Sequence, residues 1–157
     1  MKNFIFLISV LFAQLVFAQS AQVSQSYDKI GKYINGVAFV HKNGLVGFID
    51  LNGKEIVKPE YDKIGYFGGD RLAFTHKDGL VGIIHISGKV ILKPTYERIS
   101  GFRYGRAIVR KNNLCGVIDS DGNLLIEPLY IKINQSGYDS YTATSYDGSE
   151  VVIKPKK

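Results

Sequence analysis

Residues 43–49 spell NGLVGFI, residues 78–84 spell DGLVGII, and residues 112–118 spell NNLCGVI. Each stretch joins a turn pair to an apolar run with a glycine in its middle. Asn-Gly and Asp-Gly pairs between apolar segments are a strong hairpin signal, because both turn residues need a positive φ. Asn113 takes the place of the second glycine, and asparagine tolerates that conformation. The three stretches therefore predict three similar β-hairpins.

The hairpins belong to a longer repeat that is marked by tyrosines. Spacings of 34, 35 and 34 residues separate Tyr27, Tyr61, Tyr96 and Tyr130. Isoleucine follows each Tyr by three positions, and the pattern Tyr-x-x-Ile predicts a single turn that pins one unit onto its neighbour. A period of this length indicates units that stack to bury their apolar faces. We expect an all-β fold of tandem three-stranded antiparallel meanders, stacked in an open, elongated array. The period is shorter than the roughly 40–45 residues of propeller blades, which favours the open array over a closed ring.

A glycine recurs in the middle of the second strand of each unit, as Gly47, Gly82 and Gly116. Glycine weakens a strand unless another backbone or a large ring packs closely against it. The recurrence predicts a tight contact between repeats at this position.

The N-terminal segment predicts export. One lysine precedes an apolar stretch over residues 4–16, and a small-x-small cleavage pattern ends at Ala18. This is typical of a secretory signal peptide, and the apolar stretch is short for a membrane span. We therefore expect a periplasmic, outer-membrane-associated or extracellular protein, with membrane contact only through an uncleaved signal.

The expected organisation has three parts: a signal peptide over residues 1–18, a short linker over 19–26 and one β-repeat domain over 27–157. The units of that domain share the tyrosine start, and they cover residues 27–60, 61–95, 96–129 and a partial capping unit, 130–157.

The repeat resembles the WG-repeat family of bacterial proteins, also called KWG repeats. The shared pattern is Tyr-Asp-x-Ile, an Ala-containing strand, Lys-Asn-Gly, x-Gly-apolar-Ile-Asp, x-Asn-Gly and apolar-x-Pro. In that family Trp typically precedes the repeated glycine, whereas this chain has Val46, Val81 and Cys115 there and no Trp at all. The resemblance implies an often exported β-rich scaffold with binding roles, and it brings no catalytic residues.

The net charge of +6 is modest, and no run of five basic residues provides a nucleic-acid arm. We therefore expect no nucleic-acid partner. Neither a cofactor nor a metal is predicted, because His41 and His76 share a repeat position with Arg110 and no zinc ligand set accompanies them. Asp50 and Asp119 share another position, and as turn residues they are expected to accept backbone amides.

Cys115 is the single cysteine. No His or Lys lies within residues 112–118 to activate its thiol as a nucleophile, and the same position holds Val in the other units. We expect a structural residue and no enzymatic activity.

The strongest candidate surface combines aromatic and basic residues in the loops that follow each Tyr-x-x-Ile motif. Stacked units would bring such loops to one side, where repeat proteins commonly bind. Its candidate residues are Tyr33, Tyr66, Phe67, Arg71, Phe102, Arg103, Tyr104 and Arg106. These aromatics could instead close the gaps between units, and both interpretations stay open at this point.

The sequence favours a non-enzymatic binding or interaction scaffold of the bacterial envelope, whose partner is a protein or an anionic or glycan polymer. Two alternatives are a structural or accessory subunit of an envelope assembly and an unrecognised hydrolase.

Overall fold

A computed structural model describes residues 26–155, and within them every regular element of more than one residue is a β-strand. The predicted signal peptide and nearly all of the linker lie outside the described residues. The described strands form four open, antiparallel sheets, and within each sheet every strand pairs with the strands that precede and follow it in the chain. The predicted all-β repeat fold is confirmed.

The first three sheets have four strands each, and the last has three. The first sheet contains β1 (Lys29–Ile34), β2 (Val37–Lys42), β3 (Leu45–Asp50) and β4 (Glu55–Tyr61). The second contains β5 (Lys63–Ile64), β6 (Leu72–Lys77), β7 (Leu80–His85) and β8 (Val90–Tyr96). The third contains β9 (Arg98–Ile99), β10 (Arg106–Lys111), β11 (Leu114–Asp119) and β12 (Leu124–Tyr130). The fourth contains β13 (Lys132–Gln135), β14 (Tyr141–Thr144) and β15 (Glu150–Ile153).

The Tyr-x-x-Ile motif is a strand-to-strand crossing, and the predicted single turn at this place is wrong. Tyr61 ends β4 of the first sheet, and Ile64 lies in β5 of the second. The short strands β5 and β9 add a fourth strand to the predicted meander of their units. The chain bends once inside the motif, at Asp62 or Glu97, and the following isoleucine joins the next sheet, as Ile99 does with Val109.

The chain forms two compact units, and the boundary falls between Lys63 and Ile64. In the first unit, Ala38, Val40 and Ile49 form a buried cluster against which Tyr27 and Ile30 pack. The first unit thus has a core of its own.

In the second unit, two cores join consecutive sheets. One core includes Val81 and Ile83 of the second sheet with Val109 and Ile118 of the third. The other core brings Val117 and Ile126 of the third sheet against Ile133, Tyr141 and Ala143 of the fourth. Because successive residues of β11 enter different cores, both faces of the third sheet are buried.

The hairpin turns have the predicted chemistry. Both residues of the turn pair have positive φ at Asn43 (52°) and Gly44 (79°), and at Asn112 (51°) and Asn113 (63°). This is the pattern of a type I′ turn, whose twist suits the flanking antiparallel strands.

The mid-strand glycines make room for the next strand of their own sheet. A Cβ atom at Gly116 would lie 2.5 Å from the carbonyl oxygen of Ile126 in β12. The register shifts at this point, so β12 bulges over the glycine where it carries Pro128. The predicted contact between repeats at this position is wrong. A close approach between sheets occurs instead at Gly122, where a Cβ would lie 2.9 Å from the carbonyl oxygen of Ile91.

Candidate binding site

The candidate surface residues fall into separate environments. In the first unit, Tyr33 lies in β1 opposite Ala38 and is 45% exposed. In the second unit, Tyr66, Phe67 and Arg71 lie in the loop between β5 and β6, while Phe102 and its successors follow β9. Within the second unit, several of these residues border two clefts.

The first cleft lies between the second and third sheets and is largely aromatic. Phe74 and Phe102 stack in parallel, with ring centroids 6.2 Å apart and an interplanar angle of 1°. Both packed rings border a cavity of about 380 Å³ that Tyr66 also lines. Because Phe102 packs against the buried core as well, it fills the gap between repeats. Phe67, which follows Tyr66 in the loop between β5 and β6, is half-buried.

Arg71 has a structural role through its backbone. Its φ is +63°, a conformation that costs free energy for residues other than glycine. Its amide donates to the carbonyl of Gly68 at 3.0 Å, and its carbonyl accepts from the amide of Ile86 at 2.9 Å. These bonds hold the turn before β6 in place.

The second cleft lies between the third and fourth sheets, where Arg103 and Tyr104 begin a tight turn. The amide of Arg103 donates to the carbonyl of Arg106 at 2.8 Å, and Arg106 returns a bond at 3.1 Å. Tyr104 and Gly105 have φ values of +54° and +71°, as in a type I′ turn. The turn presents Tyr104 with 57% of its surface exposed, and the guanidinium of Arg103 lies 5.4 Å from its ring centre.

Arg106 fastens the third sheet to the fourth. Its guanidinium donates to the carbonyl of Tyr138 at 2.6 Å and forms an ion pair with the Asp139 carboxylate. The same group lies 5.1 Å from the centre of the Tyr138 ring, which in turn contacts the Tyr104 ring at 5.8 Å. Charge-assisted hydrogen bonds of arginine are stronger than neutral hydrogen bonds, and the planar guanidinium restricts where its partners can lie.

Tyr138 and Asp139 were not candidates from the sequence. The strand register pairs Ile133 with Ala143 at the same spacing as Ile99 with Val109, so the two residues occupy the positions of Tyr104 and Gly105 in the third unit. The available signal was Tyr138 itself, an aromatic residue in the equivalent loop. We use the name Arg-Tyr cluster for the group that consists of Arg103, Tyr104, Arg106, Tyr138 and Asp139.

Behind the Arg-Tyr cluster is a polar cavity of about 260 Å³. Its lining includes Arg103, Arg106, Gln135 and Tyr141. Tyr141 is fully buried, and its hydroxyl has no hydrogen-bond partner among the described residues, as is also true of the Gln135 Nε2 atom. Burial raises the pKa of Tyr141, and the neighbouring Arg106 guanidinium opposes this rise. A buried polar group without a partner costs about 1–3 kcal/mol.

The repeated aspartates act in turns, as the sequence predicts. Asp50 Oδ1 accepts the amides of Asn52 at 2.8 Å and Lys54 at 2.9 Å. Asp119 Oδ1 accepts two amides in the same pattern. His85 takes this position in the second sheet, and its Nδ1 accepts the Ser87 amide at 3.1 Å.

The remaining chemical candidates give no reactive arrangement. Over residues 26–155, no three His, Cys, Asp or Glu side chains come together in a way that could hold a metal ion. Cys115 packs at the edge of the core between the third and fourth sheets, and its thiol donates weakly to the Ile131 carbonyl at 3.8 Å. The described part of the chain also has no helix with the length and apolar character to cross a bilayer.

A comparison with known families shows which repeat this chain is similar to. The model of the WG-containing repeat matches residues 47–80 and 82–115. Two adjacent stretches of the chain are thus similar to the WG-containing repeat. Each match begins at a mid-strand glycine, Gly47 or Gly82, and both glycines lie under the bulge of a proline-bearing strand. The position before the glycine, where the family resemblance implies Trp, is paired in register with the repeated Tyr, as in Val81 and Tyr96.

Two solved structures are similar to this chain at low identity. The computationally designed Ika4 protein is 17% identical with a TM-score of 0.38, over 80% of this chain and 88% of that chain. The WD40 β-propeller domain of Doa1 is 14% identical with a TM-score of 0.32, over 78% of this chain and 51% of that chain. Among curated proteins, none matches this chain.

Proposed function

We propose that this chain is an exported, non-enzymatic scaffold of the bacterial envelope that binds a protein or an anionic or glycan polymer. The WG-repeat fold supports a role as a repeat scaffold or interaction module. The signal-like N-terminus supports export, and the positive net charge suits an anionic partner.

The Arg-Tyr cluster is the observation that carries the proposal. Arg103 and Tyr104 are exposed, yet their turn is held by two backbone bonds and lies beside a second aromatic ring, Tyr138. Rigid aromatic and arginine side chains suit binding, because little conformational entropy is lost on contact with a partner. The other sequence candidates are less suited, since Phe102 packs in the core and Arg71 acts through its backbone.

The test is crosslinking of the tagged full-length protein in its native cells, followed by recovery under denaturing conditions. We expect a recurrent protein or envelope polymer, and we expect the Arg103→Ala, Tyr104→Ala double variant to lose it while its unfolding free energy stays unchanged. Phe102→Ala is the matched control, because it lowers stability and leaves the cluster in place. Equal recovery with the double variant would remove the cluster from the function.

An accessory subunit is a second candidate, and the edge of the fourth sheet favours it. β15 pairs on one side with β14 and is the last strand of its sheet among the described residues. It exposes 70% of Val152 and 42% of Val151. Exposed apolar edge strands tend to pair with another chain. Val152→Lys is expected to abolish any oligomer detected by light scattering, and a monomeric parent protein would exclude this candidate.

A further inference from the structure

The two clefts of the second unit occupy equivalent places in the repeat but have opposite chemical character. β6 and β10 carry the same repeat positions, so Leu72 corresponds to Arg106 and Phe74 to Ile108. The cleft beside β6 is lined with aromatic rings, whereas the cleft beside β10 has two arginines, two side-chain amides and a phenol. The same scaffold therefore contains an apolar cleft and a polar, basic one.

Tyr141 is a departure from the repeat that the strand register reveals. Ile133 pairs with Ala143 as Ile99 pairs with Val109, which places Tyr141 where the third sheet has Ala107. The first three units all have alanine at this position. The fourth replaces a methyl group by a phenol and buries it fully, with its hydroxyl unpartnered.

A second unpartnered group accompanies that hydroxyl. Gln135 is the register partner of Tyr141, and its Nε2 atom is also shielded from water and without a partner. Buried polar groups in folded proteins are nearly always paired, and exceptions at a cavity point to a ligand or ion that completes them. Both residues line the same cavity as Arg103 and Arg106.

The two arginines of the cavity differ in whether a carboxylate of the protein already pairs with them. The Arg106 guanidinium is already paired with Asp139. No carboxylate of the described residues lies within salt-bridge distance of Arg103, which contacts the Tyr104 ring. An arginine in this state can take a carboxylate from outside in a two-point geometry.

We propose that this polar cleft binds the carboxylate-bearing sugar unit of an acidic saccharide. Arg103 pairs with the carboxylate, while the Gln135 amide and the Tyr141 hydroxyl hydrogen-bond to hydroxyls of the sugar. Guanidinium, amide and phenol together match a ligand that has both a carboxylate and hydroxyl groups. The cavity of about 260 Å³ is below the roughly 300–1,000 Å³ of typical pockets for drug-sized ligands, which suits one sugar unit. The inference rests on the proposed binding function and names the ligand class of its polymer.

The test is calorimetric titration of the purified full chain with trigalacturonate. Maltotriose provides the neutral sugar control, and triglutamate provides carboxylates on a peptide. We expect binding of trigalacturonate and at least tenfold weaker binding of both controls. Equal binding of triglutamate would overturn the saccharide assignment, and absence of trigalacturonate binding would overturn the proposal.

Two variants locate the binding at this cavity. Tyr141→Phe keeps the buried ring and removes the hydroxyl, and Arg103→Gln changes an exposed residue outside the core. Each is expected to weaken trigalacturonate binding at least fivefold, with an unchanged circular dichroism spectrum. Tyr146→Phe is the matched control, because that tyrosine is 89% exposed and does not line the cavity. Unchanged affinity in both test variants would contradict the site.

The two sets of experiments separate a failure of the saccharide inference from a failure of the proposed function. A protein recovered by crosslinking, without trigalacturonate binding, would contradict the saccharide inference alone. Trigalacturonate binding that survives the Tyr104→Ala change, with no partner recovered from cells, would contradict the proposed binding of an envelope partner and leave the cavity as a ligand site.

Discussion

Gly82 faces the carbonyl group of Leu92 so closely that a Cβ atom at residue 82 would lie 2.5 Å from the oxygen. The backbone nitrogen of Pro94 would be 2.6 Å away from the same atom. Both neighbours are backbone atoms of the adjacent strand, so neither moves without distortion of the sheet. The recurrent glycine of the repeat is therefore explained by the bulge of the proline-bearing strand.

Gly82→Ala is expected to lower the free energy of unfolding by about 3 kcal/mol, at the upper end of the usual cost of overpacking. Urea denaturation measures the change. Gly69→Ala is the control, since nothing lies within 4 Å of a Cβ at that position. The control is expected to change stability by less than about 1 kcal/mol. Equal effects of the two substitutions would contradict the steric argument.

Phe102→Ala is expected to lower the unfolding free energy by about 2–3 kcal/mol, because it removes a ring that packs on Phe74 and on the core. Tyr104→Ala, in the neighbouring turn, is expected to cost less than about 1 kcal/mol because its ring is largely exposed. Thermal or urea unfolding of the two variants separates the gap-filling aromatic from the surface aromatic. A larger loss for Tyr104→Ala would reverse these assignments.

Asp119→Ala is expected to destabilise the protein by about 1–2 kcal/mol, since it leaves the amides of Asp121 and Asn123 without their acceptor. Asp119→Asn keeps an acceptor oxygen and should lose less than half as much. The converse change, His85→Asp, is expected to stabilise, because a carboxylate accepts both amides where the imidazole accepts one. A destabilised His85→Asp variant would show that the second sheet needs the imidazole for another purpose.

Tyr27 is expected to titrate late in the folded protein. Burial raises its pKa, and so does its hydrogen bond to Glu55 Oε2 at 2.9 Å, from 10.0 to about 12. Because the folded-state pKa is the higher one, this stabilisation is present below pH 10 and is lost as the pH rises through 12. Phenolate absorbance of Tyr27→Phe should lack one late-titrating group relative to the parent. Glu55→Gln should bring that group to a lower pH, and an unchanged titration would place the late group elsewhere.

Arg106→Lys is expected to cost about 1–2 kcal/mol although it keeps the charge. Lysine lacks the planar guanidinium, which lies over the Tyr138 ring while its Nη1 donates to both the Tyr138 carbonyl and the Asp139 carboxylate. Amide hydrogen exchange is expected to rise in residues 136–140, and unchanged protection there would mean that the loop is held by other contacts.

Much of the fold follows from local chemistry that the sequence shows directly. Asn43 and Gly44 define a turn because both adopt a positive φ, and the pair acts through its own backbone without help from distant residues. The same holds for Asp50 and Asp119, whose carboxylates bond to amides two and four residues later. A repeat makes such local signals stronger, since the same turn is seen in several units.

The repeat, its hairpins and the roles of its turn residues could therefore be predicted from the sequence, because these features depend on contacts between residues a few positions apart. Only the tertiary structure decided which side chains meet across sheets. It placed Phe102 in a core and Arg103 on the surface, although both lie in one loop, because burial depends on the neighbouring sheet. It also paired Arg106 with Asp139 and put Tyr141 at an alanine position, because strand pairing and not residue type sets which positions are equivalent.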